Sequence, residues 1–162
     1  MTDIVEQLKR HEGTKRNAAG RHVLYRDTSD RQGFEGKSGK LTVCYGRNVD
    51  DRGFSEDEAE LMLSNDVAMV KAELDQALPW WTMLDEVRRM VLVNLGFNLG
   101  VLTGNPPKLL TFAHTLDLIK NRQYADAADR LMTLPWAKQV GARAVELTTM
   151  LRTGQFPGEA GS

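Results

Sequence analysis

HEGTKRNAAGRHVLYRDTSDRQGFEGKSGKLTVCYGRN, residues 11–48, is the stretch on which the fold turns. It opens with a carboxylate, Glu12, at the end of an expected helix. It then passes a second carboxylate, Asp27, inside LYRDT and reaches the hydroxyl of Thr42 at the start of TVCYGRN. HVLYRDT and KLTVCYG are short and rich in β-branched and aromatic residues, and DRQGFEGKSG between them carries three glycines and both signs of charge. That pattern predicts a small antiparallel sheet with a long hairpin connection. Two acids and a hydroxyl in one glycine-rich segment mark a candidate hydrolytic site, although Asp27-Thr28 and Tyr45-Gly46 read equally well as turn chemistry.

Upstream, Ile4, Val5 and Leu8 make an apolar stripe at helical spacing, with Thr2 or Asp3 placed to cap it and Gly13 placed to end it. Glu12 then falls in the last turn. Helix carbonyl ends carry partial negative charge, so an ionised carboxylate is disfavoured there, which suits a group that must hold a proton before giving it up. Position alone fits an exposed last-turn residue or an ion pair just as well.

Downstream the chain turns helical. Ser55 and Glu58 have capping-box spacing ahead of an amphipathic run through Leu61, Leu63, Val67, Val70 and Leu74, which Pro79 stops, and Thr82 with Asp85 repeats that spacing at the next start. VRRMVLVNLGFNLG is apolar on nearly every side, predicting a helix buried almost all round. Residues 103–107 break the pattern. Further helices are expected over about 108–121, 123–134 (stopped by Pro135) and 142–152, with Gly154 as a C-terminal cap. Together these segments predict an α+β chain: a sheet lobe over about residues 13–53, a larger helical lobe from 1–12 and 54–154 with a cleft between the two, and a soft tail over 155–162.

Composition narrows the functional classes. The 162 residues fit one domain with a sizeable core, and 21 basic against 22 acidic residues give no general case for nucleic acid. The charges are uneven, with ten basic to seven acidic in 1–50, four to ten in 51–100 and seven to five in 101–162. Basic ends would suit an anionic polymer, and a solvated mosaic of charge explains the same counts. The single cysteine, Cys44, excludes an internal disulfide. The N-terminal residues have no apolar signal core and no run reaches the length of a membrane span, so neither a signal peptide nor stable membrane insertion is expected.

In order along the chain, HEG, LYRDT, TVCYG, SEDEAE, SNDV, LDEVRRMVLVNLGFNLG, LIKNRQYADAA, the Trp136 region and ARAVELTTMLRTG resemble the phage-type lysozymes, glycoside hydrolase family twenty-four. The resemblance covers nearly the whole chain and implies a lysozyme-like fold. It also implies a muramidase that cleaves the β-1,4 bond between N-acetylmuramic acid and N-acetylglucosamine without a cofactor or metal. By that likeness Glu12 is the general acid, and Asp27 and Thr42 direct water from the other side of the sugar, with inversion at the anomeric carbon. Phe97, Thr115 and Arg130 match positions that line the sugar groove, and Asn48 matches a groove-lining leucine. Arg143 matches an arginine that pairs with the catalytic glutamate. Arg47 stands where relatives have a histidine and Asp66 matches that histidine's partner, which implies an Arg47 to Asp66 ion pair that does not titrate near neutral pH.

The sequence also departs from the family. Fourteen residues separate Glu12 from Asp27, and fourteen more separate Asp27 from Thr42, where the family has eight and five. Asp30 thereby becomes a rival for Asp27, the 28–41 connection is long enough to alter access to the groove, and a small helix of the relatives is expected to be missing. The expected partner is bacterial peptidoglycan, met by a monomer. That monomer is either a free lysis enzyme held in the host cytoplasm until it is released to the periplasm, or a domain of a phage tail or virion protein. A lytic transglycosylase and a catalytically silent peptidoglycan-binding module are the alternatives.

Overall fold

The structure, a computed structural model, describes residues 3–12, 14–27, 39–102 and 108–158. The connection after Asp27 with the rival Asp30, the helix stop at Gly13 and the break at 103–107 lie outside the described residues. The chain is α+β and divides into two compact units, Met1–Glu60 and Leu61–Ser162, with the boundary inside a long helix.

In the first unit, helix α1 (Ile4–Glu12) is started by Asp3, whose carboxylate accepts from the Val5 N–H at 3.2 Å. An arm follows in which Arg16 bridges His22 and the Val23 N–H donates to the Lys15 carbonyl. The sheet has the order β1 (Tyr25–Asp27), β2 (Lys40–Val43), β3 (Arg47–Asn48), antiparallel throughout. Tyr25 lies opposite Thr42 and Asp27 opposite Lys40 on one side, and Thr42 opposite Asn48 on the other. β3 leads straight into one turn of helix, α2 (Val49–Arg52), capped by the Asn48 side chain, although the relatives' small helix is expected to be missing. The capping box is present: Ser55 N–H donates to Glu58 at 2.8 Å, and the Ser55 hydroxyl oxygen faces Glu58 N–H at 3.4 Å, at the start of α3 (Glu56–Ala77).

The second unit holds the apolar core. After α3, a 3-10 turn (Pro79–Met83) places Trp81 inside, and α4 (Glu86–Leu99) starts on Asp85, whose carboxylate accepts from the Arg88 N–H. Thr82, expected to act as a cap, is instead part of the 3-10 turn. α4 buries Val87, Val91, Leu92, Leu95 and Gly96 but leaves Met90 and Phe97 about half exposed, so it is buried on a broad face rather than all round. A Cβ on Gly96 would sit 2.7 Å from Val101 and 2.8 Å from Val70, which is why the closest approach on this helix falls at a glycine.

α5 (Ala113–Lys120), α6 (Tyr124–Thr133), α7 (Pro135–Val140) and α8 (Ala142–Thr153) complete the unit. Pro135 ends α6 as expected, and it also opens α7, because a proline at the first helical position loses no hydrogen bond. Gly154 caps α8 in the left-handed region at φ +69°, and Phe156 beyond it packs on the core, so the tail is anchored that far. Among the described residues no helix is long and apolar enough to cross a membrane.

Candidate active site

The alternation of side chains along a strand assigns the faces of the sheet. Residues directly opposite one another share a face, as do residues two apart. Tyr25, Asp27, Lys40, Thr42 and Asn48 therefore lie on one face, with Arg26, Leu41, Val43 and Arg47 on the other. Asp27 and Thr42 are diagonal neighbours on the first face. Thr42 is 2% exposed, and its hydroxyl donates to the Lys40 carbonyl at 3.2 Å, leaving its lone pairs as acceptors. Lys40, across from Asp27, forms an ion pair with Asp51 at 2.5 Å.

Glu12 reaches this sheet from the end of α1. Its carboxylate lies against the turn joining β2 to β3, where a Cβ built on Gly46 would stand 2.6 Å from Oε2. The same unit thus holds all three groups singled out in residues 11–48: one carboxylate at the hairpin turn, with the other and the hydroxyl side by side on the sheet. Such a set offers a proton donor together with a carboxylate and a hydroxyl able to orient a water molecule. Among the described residues no three His, Cys, Asp or Glu side chains cluster closely enough to hold a metal ion.

The ion pair expected between Arg47 and Asp66 is not the one formed. Both terminal nitrogens of Arg47 are held by the Glu58 carboxylate, one at 2.7 Å, while Nε and Nη2 also donate to the Gly53 carbonyl at 2.9 and 2.6 Å. The reason is proximity. Glu58 is already fixed at the helix start by the Ser55 N–H, and the same oxygen, Oε2, also accepts from Nη2 of the guanidinium coming from β3, whose Nη1 donates to Oε1. Hydrogen bonding from the Ser55 N–H, then from Arg47, holds the Glu58 carboxyl below its ordinary value.

The second unit places the other expected residues. Phe97, 43% exposed, and Arg143 both line a groove of about 820 Å³ that also includes Val67, Met90 and Trp81. Arg143 Nε donates to Asn94 Oδ1 at 2.8 Å, whereas Glu12, its expected partner, belongs to the first unit. Arg130 is exposed on α6 and Asp66 on α3. Thr115 is not a groove residue: α5 turns it into the core at 2% exposure, because it shares the helix face of Leu116 and Ile119. Gly46, against the Glu12 carboxylate, has no signal of its own in the sequence, where Tyr45-Gly46 marks only a turn.

The phage lysozyme family model matches residues 10–152. A protein of Dictyostelium discoideum described as "Probable T4-type lysozyme 1" is 26% identical over 100 residues, covering 60% of this chain and 56% of that protein. The match thus spans little more than half the length of that relative.

Proposed function

The chain belongs to the phage lysozyme family, and on that premise we propose that it is a peptidoglycan hydrolase acting as a muramidase. Glu12 is the general acid that protonates the glycosidic oxygen between N-acetylmuramic acid and N-acetylglucosamine. Asp27 and Thr42 hold and polarise the attacking water on the opposite side of the sugar, so the anomeric carbon inverts. Phe97 and Arg130 contribute to the sugar groove, and bacterial cell-wall glycan is the partner. The activity serves lysis of a bacterial cell by a phage, or local opening of the wall by a virion-borne copy. What supports this reading is the company Glu12 keeps: its carboxylate rests on the hairpin whose β2 strand carries Thr42, next to Asp27 on the same sheet face.

The test is clearing of purified peptidoglycan by the wild type beside Glu12→Gln, with mass analysis of the released fragments. General acid catalysis contributes on the order of a hundredfold to ten-thousandfold, so a folded Glu12→Gln should lose at least that lower factor in rate. A folded variant that clears at the wild-type rate would remove Glu12 from the mechanism. The fragments separate the two cutting reactions, since hydrolysis leaves a reducing muramic acid and transglycosylation leaves an anhydro-sugar. A wild type that binds the wall and releases nothing would be a silent binding module.

A further inference from the structure

Beside Glu12 the β2–β3 turn carries a gap in place of a side chain. Gly46 sits at φ +76°, and a Cβ there would stand 2.6 Å from Glu12 Oε2, 3.2 Å from Cδ and 3.6 Å from Cγ. A separation of 2.6 Å is well inside van der Waals contact, so any side chain at 46 forces one partner to move.

The turn is the less free of the two. Tyr45, directly before Gly46, meets the edge of the His22 ring with centroids 5.1 Å apart at an interplanar angle of 67°, and its hydroxyl lies 3.4 Å from Arg16 Nη2. His22 is tied in turn to Thr14 at 2.5 Å, two residues after Glu12. The carboxylate, by contrast, ends a side chain with three rotatable bonds on the exposed last turn of α1. When the two collide, the carboxylate yields.

We infer that Gly46 is a positioning residue: the space left by its missing side chain is the seat that fixes where the Glu12 carboxylate points. The inference rests on the reading of Glu12 as the general acid for its effect on rate, but the seat itself is a matter of packing that the position of the Glu12 carboxylate in a Gly46→Ala structure reports alone.

Gly20 supplies the control. It has the same φ of +76° in the same unit, and nothing lies within 4 Å of the point a Cβ would occupy, so Gly20→Ala carries the backbone strain without the collision. Gly46→Ala and Gly20→Ala should lower the melting temperature comparably through strain, since the carboxylate displaced in Gly46→Ala is the free end of a flexible side chain and moves at little cost. Only Gly46→Ala should lower kcat on purified peptidoglycan, on the order of a hundredfold for a displacement near 1 Å, with KM little changed and an altered pH–rate profile. Glu12→Asp withdraws the carboxylate by one methylene, so its cost in rate should be much smaller in the Gly46→Ala background than in the wild type.

Equal kcat for the two folded alanine variants, or losses from Gly46→Ala and Glu12→Asp that simply multiply, would overturn the inference. If Gly46→Ala does not fold, the stability of Gly46→Ala/Glu12→Ala decides. Recovery of folding when the carboxylate is removed supports the seat, and failure to recover while Gly20→Ala folds overturns it. An inactive wild type, or a fully active Glu12→Gln, would instead strike at the general-acid reading, and a crystal structure of Gly46→Ala would still judge the seat, which is overturned if the carboxylate keeps its place against the turn.

Discussion

Thr115 carries a hydroxyl that no group among the described residues answers. It is 2% exposed, and its Oγ1 has no hydrogen-bond partner. A threonine inside a helix usually returns its proton to the carbonyl four residues back, but here that residue is Thr111, in the 3-10 turn before α5. An unanswered buried hydroxyl costs roughly 1–3 kcal/mol, and valine keeps the branched shape without the oxygen. Thr115→Val should therefore raise unfolding stability by about 1 kcal/mol, read as a shift of the denaturant midpoint at unchanged slope. A lower midpoint would mean that the hydroxyl has a partner. The same residue shows where sequence reading stops. Family likeness puts Thr115 in a sugar groove, and only the phase of α5, with Leu116 and Ile119 also buried, turns it inward. Arg47 is similar. The capping-box spacing of Ser55 and Glu58 is plain in the sequence, but nothing local says that the same glutamate also takes the arginine from β3. The places of Glu12, Asp27 and Thr42 are legible because each sits at an element's end or in a strand of fixed alternation, and their expected roles come from the family likeness, whereas Gly46 acquires meaning only when the carboxylate is seen against it.

At the scale of elements, the helix starts are legible because caps act over three residues, and so are the ends marked by glycine or proline, but the distant partners that complete an end are not. The end of α8 is the clearest case. Arg88 of α4 donates from Nε to the Leu151 carbonyl at 2.9 Å and from Nη2 to the Arg152 carbonyl at 3.1 Å, lies 3.7 Å from the centre of the Tyr124 ring, and forms an ion pair with Asp85 at 2.7 Å. One guanidinium thus satisfies carbonyls that α8 would leave open and ties three helices together. For Asp85, burial pushes its carboxyl upward, but hydrogen bonds from the Arg88 side chain and backbone N–H outweigh that and leave it below its ordinary 3.8. A carboxyl whose folded pKa lies below its unfolded one adds stability that is fully present above the unfolded value and is lost as the pH falls through the folded one. Asparagine caps a helix about as well as aspartate, so Asp85→Asn removes mainly the charge. With the carboxylate 43% exposed, the loss near neutral pH should be at most about 1 kcal/mol. It should shrink as the pH falls below the ordinary value of 3.8 and vanish only below the lower, folded one. Denaturant midpoints of both proteins at neutral and at acid pH check this, and a difference that does not change with pH would contradict it.

Across the whole molecule, the apolar core and the candidate chemistry occupy different units. Every buried apolar residue among those described lies between Leu74 and Leu151, whereas in the first unit Thr42 is the one described residue that is buried. Burial of apolar surface is the main source of stability, at roughly 25 cal/mol per Å², so the second unit should supply most of the free energy that resists unfolding. The first is held by a short three-stranded ladder, capping bonds and ion pairs such as Lys40 with Asp51, each worth little at an exposed site. It should therefore open on its own, well below the cost of global unfolding. Native-state hydrogen exchange separates the two cases. Amides inside α4, α6 and α8 should exchange only through global unfolding, with the full denaturant dependence. Amides of β2 should exchange on the order of a hundredfold faster, through an opening that responds weakly to denaturant. If β2 proves as protected as α4 with the same denaturant slope, the first unit draws stability from a source other than its own contacts. If the difference appears, Glu12, Asp27 and Thr42 belong to the less stable unit, where local fixings such as the Gly46 gap and the Arg47 to Glu58 pair must do the positioning that a core would otherwise provide.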